Sequence, residues 1–359
     1  MTQAPLAPQV VDWTAAAQIA GRLAPPGPQA PRDELDALVS GLRTAAGDAV
    51  EHVLATTRMV PVGGAGDALS PVSVVDRATW ARANTRSMAA MTDGVGEIVA
   101  EVSKAATSTG AQLAGAAEIG AVLALLSGRV LGQFDPYSAP GRLLLVAPNV
   151  LQAERALGVP VRDFRLWVCL HEQTHALQFA AAPWLAGHLS GRTRHLVGGM
   201  ARTSAELARA RFDKKFVAIG RSVRDALRGE GGTLVDGVLT HEQKAELADI
   251  TAVMALLEGH ADVMMDAVGP RVVPSVRRIR ARFERRRDGE GRAGFDVVVQ
   301  KLLGMEAKLA QYRDGAAFVR AVERSVGRDG LNAVWAAPEN LPTAREISDA
   351  RAWVRRVHG

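Results

Sequence analysis

Residues 166–179 read Leu-Trp-Val-Cys-Leu-His-Glu-Gln-Thr-His-Ala-Leu-Gln-Phe, and this stretch constrains the fold more than any other. His171 and His175 stand four apart, so a helix projects both imidazoles from one face, one turn apart. Glu172 follows His171, rotated about 100° around the helix axis. Two neutral imidazoles so placed can share one zinc ion at about 2.0–2.1 Å each. A carboxylate one step round the helix reaches a water on such an ion rather than the ion itself. The pattern His-Glu-x-x-His therefore carries a metal and a general base together. Between Trp167 and Arg192 the only Asp, Glu, Lys or Arg is Glu172. An interior segment of this kind needs a partner for its polar groups, because an unpaired buried charge is expensive.

A catalytic zinc keeps three protein ligands and one open position. A third histidine ten residues after the first would require Gly at position 178 and His at 181. The chain has Gln178 and Ala181, which excludes that solution. Glu258 is the expected third ligand, since it interrupts the apolar pattern of Leu247, Ile250, Val253, Met254 and Leu257. Asp262, one turn later, is expected to accept the outer N–H of a zinc-bound histidine and so fix its tautomer, with Asp266 continuing the same face. Gly259 is expected to let the backbone of the zinc helix approach closely. His260 is the rival ligand, or a group facing the substrate. Candidate donors to a developing oxyanion are Tyr137, His195 and His260; the sequence does not choose among them. A Glu ligand with Asp four residues later resembles the arrangement of thermolysin-like enzymes.

The rest of the chain reads as mostly helical. Residues 1–31 form a loosely held N-terminal arm, in which Val10, Val11, Trp13, Ile19 and Leu23 can dock a short helix. Residues 32–359 form a single helical domain, with points of subdivision near 160 and 270. Helical spacing runs from Asp33 to about Thr57, from near Asp76 to about Val102, and from Gly115 to Leu131. The clearest strand is Leu143 to Val146, four apolar residues between turn signals just upstream of the zinc helix. An exposed edge there would pair with an extended substrate. Thr240 with Gln243 makes a capping box that opens the helix carrying Glu258, and Gly269-Pro270 closes it.

One cysteine, Cys169, rules out an internal disulfide framework and fits a reducing cytosol. The N-terminus lacks the positive cluster and apolar core of a secretory signal. The run Leu113 to Leu126 is interrupted by Glu118 and is short for a bilayer. The expected location is cytoplasmic, with no membrane partner. A formal charge of +5 does not argue for nucleic acid. Nine arginines fall between 271 and 292, with Phe283 the only aromatic among them, so a solvated face is expected there. The glycine-rich loop Gly229 to Gly237 lacks the Lys-Ser/Thr of a phosphate cradle.

Val11-Asp12-Trp13, the segments Gly128 to Pro136 and Leu143 to Asn149, His171 to Phe179 and Glu258 to Asp262 together resemble a zincin-like family of actinobacteria and related bacteria. Its members are described as candidate zinc-dependent metalloproteases or hydrolases, and some are labelled as associated with biosynthesis of the deazaflavin coenzyme. The resemblance implies a mainly α, zincin-like fold with a small β element next to the zinc helix, and one zinc ion. With the residues above, the expectation is a zinc-dependent hydrolase, foremost a metallopeptidase acting on peptide or amide bonds with Glu172 as general base. The alternatives are a zinc-binding protein with a regulatory or scaffolding role, and a non-peptide hydrolase or coenzyme-pathway factor.

Overall fold

The computed structural model describes residues 9–64, 69–102, 107–209, 239–287 and 305–359. Three short strands, β1 (Val72–Val75), β2 (Gly132–Asp135) and β3 (Arg142–Val146), form one sheet in the order β1-β3-β2. β3 is the central strand, parallel to β1 and antiparallel to β2, with Val72 opposite Leu143 and Gly132 opposite Leu145. Its alternating side chains enter two cores. Leu143 and Leu145 pack with Leu42, Leu151 and Leu170, whereas Leu144 and Val146 pack with Ala20, Trp80 and Leu123. Burial on both faces is why the run is apolar without alternation. The exposed edge expected at Leu143 to Val146 is therefore corrected: that strand is paired on both sides, and the edge beside the zinc helix is β2.

Helices α1 (Trp13–Leu23), α2 (Arg32–Thr57), α3 (Arg77–Met91), α4 (Val95–Val102) and α5 (Thr109–Ser127) form the first half around this sheet. Asp12 caps α1 by accepting from the Ala15 N–H at 2.9 Å. Ala16 and Ala20 are buried as α1 packs on α3 and α5, so the part of the expected arm from residue 9 onward carries a docked helix. α5 has 19 residues and is long and apolar enough, by length and composition, to cross a membrane. It packs on α1 through Gly115 against Val11 and Gly120 against Ile19, and turns Leu113, Val122 and Leu125 outward.

The second half is α6 (Ala147–Leu157), α7 (Val161–Ala181), α8 (Trp184–Arg209), α9 (His241–Ala267), α10 (Val276–Arg287), α11 (Met305–Leu331), α12 (Ala344–Ser348) and α13 (Ala350–His358). The capping box of Thr240 and Gln243 opens α9, and Gly269, at φ 73°, follows its end. α7 lies between α2 and α9. Gly259 on α9 faces Gly315 on α11, where a Cβ on either would fall on the other helix's main chain. The close approach expected of Gly259 is thus to α11, not to the zinc helix.

Three of the arginines expected on a solvated face make contacts within the fold, Arg278 while staying exposed as expected. Arg278 and Arg282 donate to the carbonyls of Leu157 and Gly158 that α6 leaves open at its C-terminus. Arg280 pairs with Asp262 at 2.6 Å and Asp266 at 2.9 Å and lies over the Trp167 ring. The remainder of that arginine-rich stretch beyond 287 and the loop Gly229 to Gly237 lie outside the described residues.

Candidate metal centre

α7 begins after Pro160, with Asp163 in its first turn accepting from the Ser275 N–H and hydroxyl. Phe164, Trp167, Leu170 and Leu177 anchor it in the core. What remains is a narrow face carrying His171 and His175 toward α9, which presents Glu258. His175 Nε2 lies 3.1 Å from His171 Nε2, and Glu258 Oε2 lies 3.4 Å from His171 Nε2 and 3.7 Å from His175 Nε2. A tetrahedral ion with bonds of about 2.0–2.1 Å spaces its ligand atoms roughly 3.3–3.4 Å apart. The triangle fits. Among the described residues this is the one group of His, Cys, Asp or Glu whose ligand atoms converge in this way.

The electrostatics favour a cation. Burial works against charge on His175, but Glu258 beside it raises that imidazole to about 9. Burial would push Glu258 up, yet the two imidazoles hold its carboxyl well below the usual carboxylate range. A positive ion seated between them takes over the role of those protons. Glu172 is buried on the same helix and lines the same cavity. Burial raises its carboxyl above the ordinary value; the two imidazoles oppose this and Glu258 reinforces it.

Each histidine has an outer contact, and neither is the carboxylate expected. His175 Nδ1 meets Gln178 Oε1 at 2.9 Å, and His171 Nδ1 meets the Met265 sulfur at 3.3 Å. Asp262, expected to take one of these N–H groups, is held by Arg280 instead. Arg280 lies on α10 and reaches both Asp262 and Asp266, so it outcompetes a neutral imidazole for them.

The remaining candidates fall in different places. Tyr137 lines the cavity, and burial with Asp135 nearby raises its phenol to about 12. His260 is fully buried against Trp335, and burial lowers it to about 3, so it is neutral. It reaches His175 through Gln178 and lies outside the ligand triangle. His195 is largely exposed on α8, 3.9 Å from Glu242, and does not line the cavity. Cys169 is buried with its thiol pushed up by burial, beside the Leu42 carbonyl.

Two site residues have no counterpart in the sequence reading. Gln178 was legible in principle, because it follows His175 by three and so shares its face. Gly132 was not. A Cβ there would lie 2.7–3.0 Å from the Glu172 side chain, so edge strand β2 presses directly on that carboxylate. Two residues on, Phe134 packs against Phe179 with ring centroids 5.5 Å apart and planes tilted by 38°, which ties strand to helix past the metal residues. The cavity they share is about 1110 Å³ and reaches from Met88 and Met91 to Phe283 and Arg320.

A search of curated proteins returns no match. A crystal structure from Chloroflexus aurantiacus, described as a candidate hydrolase with a novel fold, is 30% identical with a TM-score of 0.63, covering 97% of this chain and 99% of its own. Residues 11–354 match the family model described as zincin-like metallopeptidase. The chain belongs to the zincin-like metallopeptidase family, and with it to the zinc-dependent hydrolases in general.

Proposed function

We propose that this protein is a zinc metallopeptidase in which His171, His175 and Glu258 hold the ion and Glu172 is the general base. The observation that carries the reading is the convergence of three donor atoms from two helices beside a buried carboxylate in one cleft. When bound, zinc supplies Lewis acidity that polarises a carbonyl and acidifies water. Glu172, whose carboxyl burial raises above its ordinary value, is suited as carboxylate to take a proton from the attacking water and return it to the leaving amine. Tyr137 lines the cleft as a neutral O–H donor and is the favoured candidate for the developing oxyanion.

Peptides are favoured over compact substrates for two reasons. The cavity, at about 1110 Å³, stands at the upper end of the roughly 300–1,000 Å³ usual for small-molecule pockets and leaves room for several residues of a chain. One wall is β2, which among the described residues pairs with β3 alone and so offers an edge to an extended chain. The test is a peptide library incubated with zinc-loaded protein and read by mass spectrometry, with a Glu172 variant as control. Cleavage by the parent alone supports the reading. A parent that binds zinc and cleaves no peptide returns the chain to a regulatory role or to a non-peptide hydrolase.

Gly132→Ala probes the seat of Glu172. Its added carbon displaces the carboxylate without touching the ligand triangle. Turnover should fall roughly 10²-fold, as for a reacting group moved by about an ångström. Zinc content should stay at the parent level. A variant with parental turnover would show that Glu172 does not act from the position described.

A further inference from the structure

Gln178 is fully buried on α7, and its amide has three polar neighbours. Nε2 lies 2.9 Å from the Leu257 carbonyl and 3.0 Å from His260 Nδ1, while Oε1 lies 2.9 Å from His175 Nδ1. The Leu257 carbonyl decides which end of the amide is which. A main-chain oxygen only accepts, so the atom facing it must be the NH2. His260 Nδ1, facing the same NH2, is then the bare nitrogen. His175 Nδ1, facing the amide oxygen, must carry the hydrogen. In the neutral, metal-binding form of the imidazole, His175 Nε2 is then the bare nitrogen, and it faces His171 and Glu258.

Given the metal site proposed above, we infer that Gln178 is a positioning residue that holds His175 in its metal-binding tautomer, with the direction of its amide set by the Leu257 carbonyl and by His260. Two further observations support the role. The carboxylates that the sequence offered for such an outer contact, Asp262 and Asp266, are both engaged by Arg280. And His260 Nε2 is buried without a partner among the described residues, so the fold leaves one N–H unmet while presenting Nδ1 to Gln178. A flipped amide would set oxygen against oxygen at Leu257 and hydrogen against hydrogen at His175.

The experiment is zinc affinity by chelator competition on the full chain, for parent, Gln178→Met, His260→Leu and the double variant. Methionine keeps the length of glutamine and removes its amide. Gln178→Met should bind zinc about 10- to 100-fold more weakly, the usual effect of losing an outer partner of a ligating histidine. His260→Leu should weaken binding in the same direction and by less. Because His260 acts through Gln178, the double variant should be no weaker than Gln178→Met alone, whereas independent structural losses would multiply. His260→Asn, whose Oδ1 can accept near the position of Nδ1, should bind like the parent; it also serves if His260→Leu does not fold. Parental affinity in Gln178→Met, or losses that multiply in the double variant, would overturn the role while leaving the metal site standing. A parent that takes up no zinc would overturn the metal site, and this role with it.

Discussion

Glu258→Ala should purify with almost no zinc, against about one ion per chain in the parent. The substitution removes one of three ligand atoms and the carboxylate that draws His175 toward its protonated form. Two imidazole nitrogens 3.1 Å apart then remain, with Gln178 and Met265 behind them and no negative charge in the ligand set. Affinity should fall on the order of 10³-fold or more, equivalent to about 4 kcal/mol. Metal content by mass spectrometry on untagged protein is the direct measurement. Melting temperature is a second one, because an ion that binds only the folded chain stabilises it by roughly 4 kcal/mol at a thousand times its Kd. Zinc should therefore raise the melting point of the parent and leave that of Glu258→Ala unmoved. If the variant retains zinc as tightly as the parent, Glu258 is not the third ligand.

Glu172→Gln should do the opposite: keep zinc and lose hydrolysis. Its carboxylate is not one of the three converging donors, so the metal has no reason to leave. Removing a general base costs roughly 10²–10⁴-fold in rate. A secondary result tests the environment rather than the chemistry. Burial holds the Glu172 proton more tightly in the folded chain than in the unfolded one, so the metal-free parent loses stability as pH rises through that raised value. Glutamine carries no such charge. The metal-free variant should therefore melt higher than the metal-free parent at pH 7 and match it in acid. Unchanged turnover with zinc in place would remove Glu172 from the mechanism.

The two helices of the metal site were legible because their signals are local. The four-residue step from His171 to His175, the capping box at Thr240, and the lone carboxylate Glu258 in an apolar run each need only one turn of helix to read. Strand Leu143 to Val146 was legible as a strand but not as the central one. Its burial depends on β1 and β2, which are four residues each, and β2 begins at Gly132. The outer contacts of the site were not legible for a related reason. Gln178 meets Leu257 and His260 from 79 and 82 positions away, and Arg280 claims Asp262 from a different helix. Which of nine arginines would turn inward is decided by packing against α6 and α9, which no spacing rule contains.

Gly259 and Gly315 press two main chains together one residue past Glu258. In a saturation scan that scores activity, both positions should tolerate almost nothing, and would rank beside the metal residues in any map of sensitivity. Compensating substitutions should be absent as well, because each missing Cβ faces backbone rather than a side chain that could be trimmed. Intolerance at these two glycines would thus report the spacing of two rods rather than contact with a substrate. Telling the two apart requires protein abundance to be scored alongside activity, since crowded glycines lose both and chemical residues lose only one.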